Sequence, residues 1–261
     1  MNKGEVKSVF QIKVHKETDN VVIYFERKQL IHALLIGMGV VIIFHLLSVL
    51  IGEGSWQIER LFNLELESNI PNWFRSLIFA FSALIAYGCA RLSSVVRERR
   101  FWIFATVGLL LCSADDMVMI HENIFELLKK YFSFSPLISK LEVSWPITIG
   151  PFVALAAIWF AFYSYQCLKN YKFVFKLMTI GISLFLLGEV LIEFLTNFVG
   201  HDHSNWLFQL RLIVEEGLQF IGLIIFLSGL LHHQQLLHRQ LEQRNSNTQS
   251  LEESERLECR V

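Results

Sequence analysis

Long apolar windows constrain this chain more than any other feature of its sequence. Six of them, each of about 20 residues or more, cover residues 30–51, 74–95, 101–122, 146–168, 173–198 and 206–231. A helix needs about 20 apolar residues to cross the hydrocarbon core of a bilayer, which is about 30 Å thick. Only 18% of the residues are charged, against about 25% in soluble domains. We therefore predict an all-α integral membrane bundle of six transmembrane helices.

The Lys and Arg residues indicate how this bundle is oriented. With a cytoplasmic N-terminus, 17 of the 23 basic residues fall on the cytoplasmic side and 6 on the other side or close to it. Because positive charge accumulates in cytoplasmic loops, both termini are predicted to be cytoplasmic. The net charge of −1 gives no basic field for binding phosphates. Membrane lipids are thus the expected partners, and nucleic acid is not.

The apolar windows divide the chain into three parts. Residues 1–29 are predicted to form a cytoplasmic arm, and a small β-hairpin is one interpretation of its two short apolar stretches. Residues 30–232 form the transmembrane domain. Residues 233–261 form a cytoplasmic tail, in which the last helix ends and a polar segment beyond residue 240 is predicted to be disordered.

Several side chains near the predicted cytoplasmic surface are given ordinary interfacial roles. His232, His233 and His238 follow the last window and are interpreted as solvated. Trp102 lies at the cytoplasmic start of the third window, where amphipathic indole rings prefer to lie.

Seven carboxylates lie inside the windows, where lipid makes charge costly. A charged side chain near the middle of a membrane helix costs about 2.5–3.5 kcal/mol. Such groups must face one another, an aqueous cavity or a cation, or they must be protonated. The seven residues are Asp115, Asp116, Glu122, Glu189, Glu193, Glu215 and Glu216.

Helical spacing arranges these acids into three polar ridges. In a continuous third helix, Asp115 and Glu122 are seven residues apart and share one face. The two acids of the fifth window are four residues apart and form a second face. In the last window, Arg211 and Glu215 have the spacing of a helical ion pair. Counted along the helices, all three ridges lie in the outer half of the bilayer, which predicts an outward-facing acidic chamber.

A divalent metal ion is the predicted way to balance this charge. Carboxylate oxygens suit Mg, Ca or Mn, and an added imidazole admits Zn or Fe. The predicted ligands are Asp115, Glu122, Glu189, Glu193 and Glu215. The predicted catalytic residues are His121 as a ligand or general base, Asp116, and Arg211 as an orienting cation.

Three functions are compatible with this chamber. The first is a metal-dependent enzyme that acts on a lipid, an envelope component or a small molecule. The second is a proton- or cation-coupled transporter, although the cytoplasmic halves of the windows contain few ionisable residues. The third is a non-catalytic membrane subunit or sensor. A fourth alternative is a set of buried ion pairs that only holds the bundle together.

Two short motifs resemble those of a group of small polytopic bacterial membrane proteins of unassigned function. Residues 111–122 read LCSADDMVMIHE, which is similar to that group's Ser-x-Asp-Glu-x-x-x-Ile-His-Glu pattern. Residues 214–222 read VEEGLQFIG, which is similar to Val-Glu-Glu-x-x-Glu-x-x-Gly in its last span. Here Asp116 stands in place of a glutamate and Gln219 in place of the third acid, which would alter a metal site. The resemblance implies a location in the bacterial inner membrane and supplies no reaction.

Overall fold

A small β-hairpin is the first described element, and a helical bundle follows it. A computed structural model describes residues 12–17, 20–51, 60–66, 68–131, 150–192 and 206–258. Strands β1 (Ile12–Glu17) and β2 (Asn20–Phe25) pair in antiparallel register, with Ile12 opposite Phe25. This hairpin precedes the first helix in the N-terminal arm.

Seven helices and one π-helical segment follow in the described residues. They are α1 (Arg27–Ile51), α2 (Ile70–Leu92), α3 (Val96–Val118), α4 (Ile120–Tyr131), α5 (Gly150–Leu168), α6 (Lys172–Leu186), the π-helix (Leu187–Ile192) and α7 (Trp206–Glu258). Five helices are long and apolar enough to cross a membrane, namely α1, α2, α3, α5, and α6 together with the π-helix. These match five of the six predicted windows. The sixth window is the first half of α7, and its crossing stays a prediction.

Helix α7 occupies the centre of the bundle. It contacts α1, α2, α6 and the π-helix, while α3 packs on α2, and α5 contacts both α3 and α6. The buried residues Phe220, Leu223, Leu227 and Leu230 recur every three or four positions along α7, which is the spacing of one helical face. Large apolar side chains on other helices point outward, as lipid contact requires; Phe152 on α5, for example, is 71% exposed.

Two glycines allow α6 and α7 to approach closely. A Cβ atom on Gly181 would lie 2.6 Å from the carbonyl oxygen of Gly222, and a Cβ on Gly222 would lie 2.6 Å from the carbonyl oxygen of Gly181. No larger side chain fits at either position without moving a backbone. This close contact holds the π-helix, which continues from α6, against the part of α7 that carries its acidic residues.

The third predicted window is broken rather than continuous. Helix α3 ends at Val118 because Met119 adopts a left-handed conformation, with φ of 53°, and α4 starts at Ile120. The prediction that Asp115 and Glu122 share one face of a single helix is therefore wrong. The physical reason is local, since the Asp115 side chain binds backbone beyond the break and so competes with a continuous helix.

The C-terminal end of the described chain also differs from its prediction. Helix α7 continues to Glu258, where composition predicted disorder beyond residue 240. Its Gln, Glu, Arg and Leu residues are good helix formers, and His238 and Glu242 form an ion pair one turn apart, at 3.3 Å. His233 is fully buried, so the interpretation of His233 as solvated is wrong, and Trp102 is fully buried beside it.

Candidate functional site

The guanidinium of Arg75 lies at the centre of the acidic site. Its Nε donates a hydrogen bond to Asp116 Oδ1 at 2.6 Å, and its Nη1 donates to Glu216 Oε2 at 2.9 Å and to the side-chain oxygen of Gln219. The side chains of Arg75, Asp116 and Glu216 are exposed by 8%, 9% and 10%. One arginine from α2 therefore joins acids from α3 and α7. The Arg75 cluster consists of Arg75, Asp116, Glu216, Gln219 and Glu189.

The start of α2 determines where Arg75 lies along the bundle. Asn69 caps the helix by accepting a hydrogen bond from the backbone N–H of Asn72 at 3.0 Å, and Pro71 occupies the first turn. Arg75 follows about one turn later. Beside it, Ser76 Oγ donates to the carbonyl oxygen of Ser113 at 2.8 Å, and Ser113 Oγ donates to that of Ser76 at 3.0 Å. These paired bonds hold α2 and α3 together next to the cluster.

The π-helix brings Glu189 to the cluster. A Cβ atom on Gly188 would lie 2.7 Å from the carbonyl oxygen of Glu215, so only glycine allows this segment to lie so close to α7. Glu189 is partly buried and interacts electrostatically with Arg75 and Asp116. Short π-helical turns inside α-helices occur frequently at functional sites.

A second polar unit, the Asp115–His121 pair, spans the break between α3 and α4. Asp115 Oδ1 accepts the backbone N–H of His121 at 2.8 Å, and its Oδ2 lies 2.9 Å from His121 Nδ1. Burial disfavours the charged imidazole, but the hydrogen bond and the charge of Asp115 outweigh burial and raise the pKa of His121 to about 9. This shift favours the imidazolium form of His121 at neutral pH, the form that can donate a proton, and its role as a ligand or general base stays a prediction.

The predicted ion pair on α7 is present. Arg211 Nη1 lies 3.5 Å from Glu215 Oε2, one turn apart on the helix. The guanidinium carbon of Arg211 also lies 4.8 Å from the ring centre of Phe208. Glu215 interacts electrostatically with Glu216, so this pair borders the Arg75 cluster.

The structure brings most of the predicted site residues into one electrostatic neighbourhood. Five of the predicted residues interact with the Arg75 cluster or belong to it, namely Asp115, Asp116, His121, Glu189 and Glu215, and Arg211 binds Glu215. Glu122 is further along α4 and acts on His121. Glu193 lies outside the described residues.

Arg75 is the residue that the sequence reasoning missed. It stands at the edge of the second window, and the topology argument counted it as an outer-side charge. One signal could have identified it: seven acids inside apolar windows require cations, and Arg75 is among the few basic residues that lie within a window.

The predicted divalent ion stays a prediction, because Glu193, one of its five predicted ligands, lies outside the described residues. Within the described part of the chain, no three His, Cys, Asp or Glu side chains are arranged to hold a metal. The inward-facing oxygens of Asp116 and Glu216 bind the guanidinium of Arg75 instead. A second oxygen of Asp116, Oδ2, is buried and has no hydrogen-bond partner among the described residues.

The fold and the site together define a helical protein with membrane-crossing helices and a buried ionisable cluster. The chain belongs to the family of a domain of unknown function, DUF8692, which matches residues 28–234. The matched stretch contains the whole Arg75 cluster and the Asp115–His121 pair. No curated protein and no solved structure matches the chain.

Proposed function

We propose that the protein is a proton-coupled membrane transporter, in which the Arg75 cluster binds and releases protons on the outer side of the bundle. One observation carries this proposal. Three carboxylates, those of Asp116, Glu189 and Glu216, surround the single guanidinium of Arg75, and Asp116 Oδ2 is buried without a hydrogen-bond partner among the described residues. Acids in excess of cations require a further positive charge.

Magnitudes favour a proton as this charge. Two like charges about 4 Å apart repel by about 4 kcal/mol at an effective dielectric constant of about 20. Protonating an ordinary glutamate at pH 7 costs about 3.7 kcal/mol, because it titrates about 2.7 pH units lower. These two terms are similar in size, while loss of hydration favours the neutral acid and the attraction of Arg75 favours the charged one. Small changes of geometry would therefore load or release the proton.

The Asp115–His121 pair supports access from the outer side. Its side chains are 35% and 22% exposed, whereas Asp116, the next residue to Asp115, is buried against Arg75. His121 interacts electrostatically with Glu189 of the cluster. An imidazolium between solvent and the cluster can donate a proton inward and be protonated again from water.

The same pair favours a second candidate function. Asp115 binds the ring of His121 by one hydrogen bond and its backbone N–H by another, and a carboxylate bound to an imidazole in this way orients acid–base residues in enzymes. An enzyme acting on a lipid or envelope substrate, with or without a divalent ion, is therefore the main rival. It requires chemistry at the outer surface and no route through the bundle.

The proposed orientation follows from the distribution of basic residues. Both termini in the cytoplasm place the Arg75 cluster near the outer face, and the resemblance of the motifs favours the bacterial inner membrane. In this orientation α7 is a sixth span, and its polar end extends into the cytoplasm.

Infrared difference spectra of the protein in liposomes test proton binding directly. Protonated carboxyl groups have a C=O band that ionised carboxylates lack. We expect this band in the wild type near neutral pH, reduced by about half in Asp116→Asn and in Glu189→Gln because the two acids titrate together. Glu242→Gln, an exposed acid on α7, is the matched control and should leave the band unchanged.

Elemental analysis of the same samples distinguishes the proton-binding site from the metal-dependent enzyme. If the band is absent at pH 7, or is unchanged in both Asp116→Asn and Glu189→Gln, the proton-binding proposal fails. Stoichiometric divalent metal in the wild type that is lost in Asp116→Asn would support the metal-dependent enzyme instead. Absence of both the band and the metal would leave a cluster of ion pairs with a structural role.

A further inference from the structure

His233 is a buried imidazole at the end of the bundle opposite the Arg75 cluster. It is 0% exposed, and its ring centre lies 4.9 Å from that of Trp102 and 4.6 Å from that of Tyr171. Neither ring nitrogen has a hydrogen-bond partner among the described residues, and buried Nε1 of Trp102 also has none there. Three unpaired polar atoms thus lie on two neighbouring rings from α7 and α3.

Unpaired polar atoms at this depth point to a bound ligand. Each buried donor or acceptor without a partner costs about 1–3 kcal/mol, and native proteins commonly satisfy such groups with an ordered water. A water needs two to four polar partners. Trp102 can donate its indole N–H to a water, and that water can donate to the unprotonated nitrogen of His233.

The charges around His233 are compatible with a neutral ring that exchanges protons through water. Burial, followed by the neighbouring charge of His232, lowers the pKa of His233 to about 3. From the α6 side, the Tyr171 hydroxyl donates to the side-chain oxygen of Gln240 at 3.1 Å. No carboxylate acts on His233 among the described groups that affect it.

Polar groups also lie between the two ends of the bundle. Ser82 stands seven residues after Arg75 on α2 and therefore on nearly the same helical face. Its hydroxyl is fully buried and has no partner within the described part of the chain. One to two turns further on, Gly88 faces the side-chain amide of Gln234, the residue next to His233. The interface of α2 and α7 therefore carries polar groups from the cluster towards His233.

We infer that His233, Trp102 and Tyr171 form an inner polar site that binds water and passes protons between the bundle interior and the side where α7 extends. Its water binding is independent of the proposed function, whereas its role in proton passage rests on that function. In each passage the neutral imidazole accepts a proton from water at one ring nitrogen while it releases the proton on its other nitrogen to water, so the ring stays neutral and changes tautomer. No other bond forms or breaks.

X-ray radiolytic labelling of the full chain in liposomes tests whether a water binds between Trp102 and His233. The beam splits bound water into hydroxyl radicals, which oxidise adjacent side chains. We expect oxidation of Trp102 in the wild type and in His232→Phe, and a loss of about tenfold in His233→Phe, where the water loses its partner. His233→Gln keeps a hydrogen-bonding side chain and should keep the label, which separates loss of water from misfolding.

Proton flux driven by a potassium diffusion potential, in the same liposomes, tests passage. We expect flux in the wild type and in His232→Phe, and its loss in His233→Phe. An unlabelled Trp102 in the wild type would overturn the water site. Equal flux in wild type and His233→Phe, or no flux in either while the carboxyl band is present, would overturn the relay and leave proton binding by the Arg75 cluster intact. Absence of the carboxyl band would overturn the proposed function and the relay together, with the labelling still deciding the water.

Discussion

At the scale of single residues, Arg75 determines what the acidic site can be. Its guanidinium binds Asp116, Glu216 and Gln219 from two other helices, so a single side chain satisfies groups that lipid could not. An arginine keeps its charge in any environment, whereas the acids around it can gain or lose a proton. The cluster is therefore a fixed cation surrounded by adjustable anions.

Replacing Arg75 should destabilise the bundle strongly. Arg75→Gln leaves Asp116 and Glu216 buried without a cation, and breaking such a pair costs about 3–5 kcal/mol. The matched control is Arg100→Gln, which changes an exposed arginine at the end of α3 far from Asp116. It should cost less than about 0.5 kcal/mol. Unfolding in mixed detergent micelles, followed by circular dichroism, measures both.

A compensating variant distinguishes lost charge balance from lost packing. Neutralising both acids in Arg75→Gln/Asp116→Asn/Glu216→Gln removes the uncompensated charge, so much of the stability should return. Equal stability of Arg75→Gln and Arg100→Gln would contradict the central role of Arg75. Failure of the triple variant to recover any stability would assign the loss to packing.

At the scale of elements, the junction between α3 and α4 is where local chemistry overrides the apolar pattern. Hydrophobicity favours one helix through residue 122, yet the Asp115 carboxylate binds the backbone and ring of His121, and Met119 adopts a left-handed conformation between them. Non-glycine residues adopt that conformation at a cost, which the two hydrogen bonds of Asp115 offset. The apolar pattern thus predicted the segment, while the break depends on two polar side chains.

The stability of this junction should depend on pH. The pKa of His121 is raised in the folded protein to about 9 from about 6.5, so its charged form stabilises the fold. That contribution is complete below pH 6.5 and disappears as pH rises through about 9. Asp115→Asn removes the carboxylate charge that raises the pKa of His121. The melting temperature of the wild type should therefore fall more between pH 6 and pH 10 than that of the variant. A larger fall in Asp115→Asn would contradict the assigned pairing.

At the scale of the whole molecule, the sequence predicts the helices better than the contacts between them. Span length follows from bilayer thickness, so five predicted windows coincide with described helices. The partners of Arg75 could not be predicted, because Asp116 and Glu216 lie 41 and 141 residues away, and helical periodicity gives no register between distant helices. The acids were therefore identified correctly as unusual, while their cation was overlooked.

The buried environment of His233 was unpredictable for a similar reason. Its sequence neighbours are polar, and a helix end rich in His and Gln is ordinarily solvated. The ring is buried because α7 is central and because Trp102 and Tyr171, from other elements, pack against it. Burial of a polar residue at a helix end is thus a property of the packed bundle.

The orientation of the bundle decides which site faces which side, and thiol labelling measures it. In a cysteine-free background, Leu66→Cys lies between α1 and α2 next to the Arg75 end, and Asn245→Cys lies on the exposed end of α7. The bias of basic residues predicts labelling of position 66 from outside intact cells and of position 245 only after permeabilisation. The reverse pattern would place the Arg75 cluster on the cytoplasmic side, and the inner site around His233 would then be the outer entrance. Labelling of both positions from one side would mean an even number of spans between them, in which case α7 does not cross the membrane.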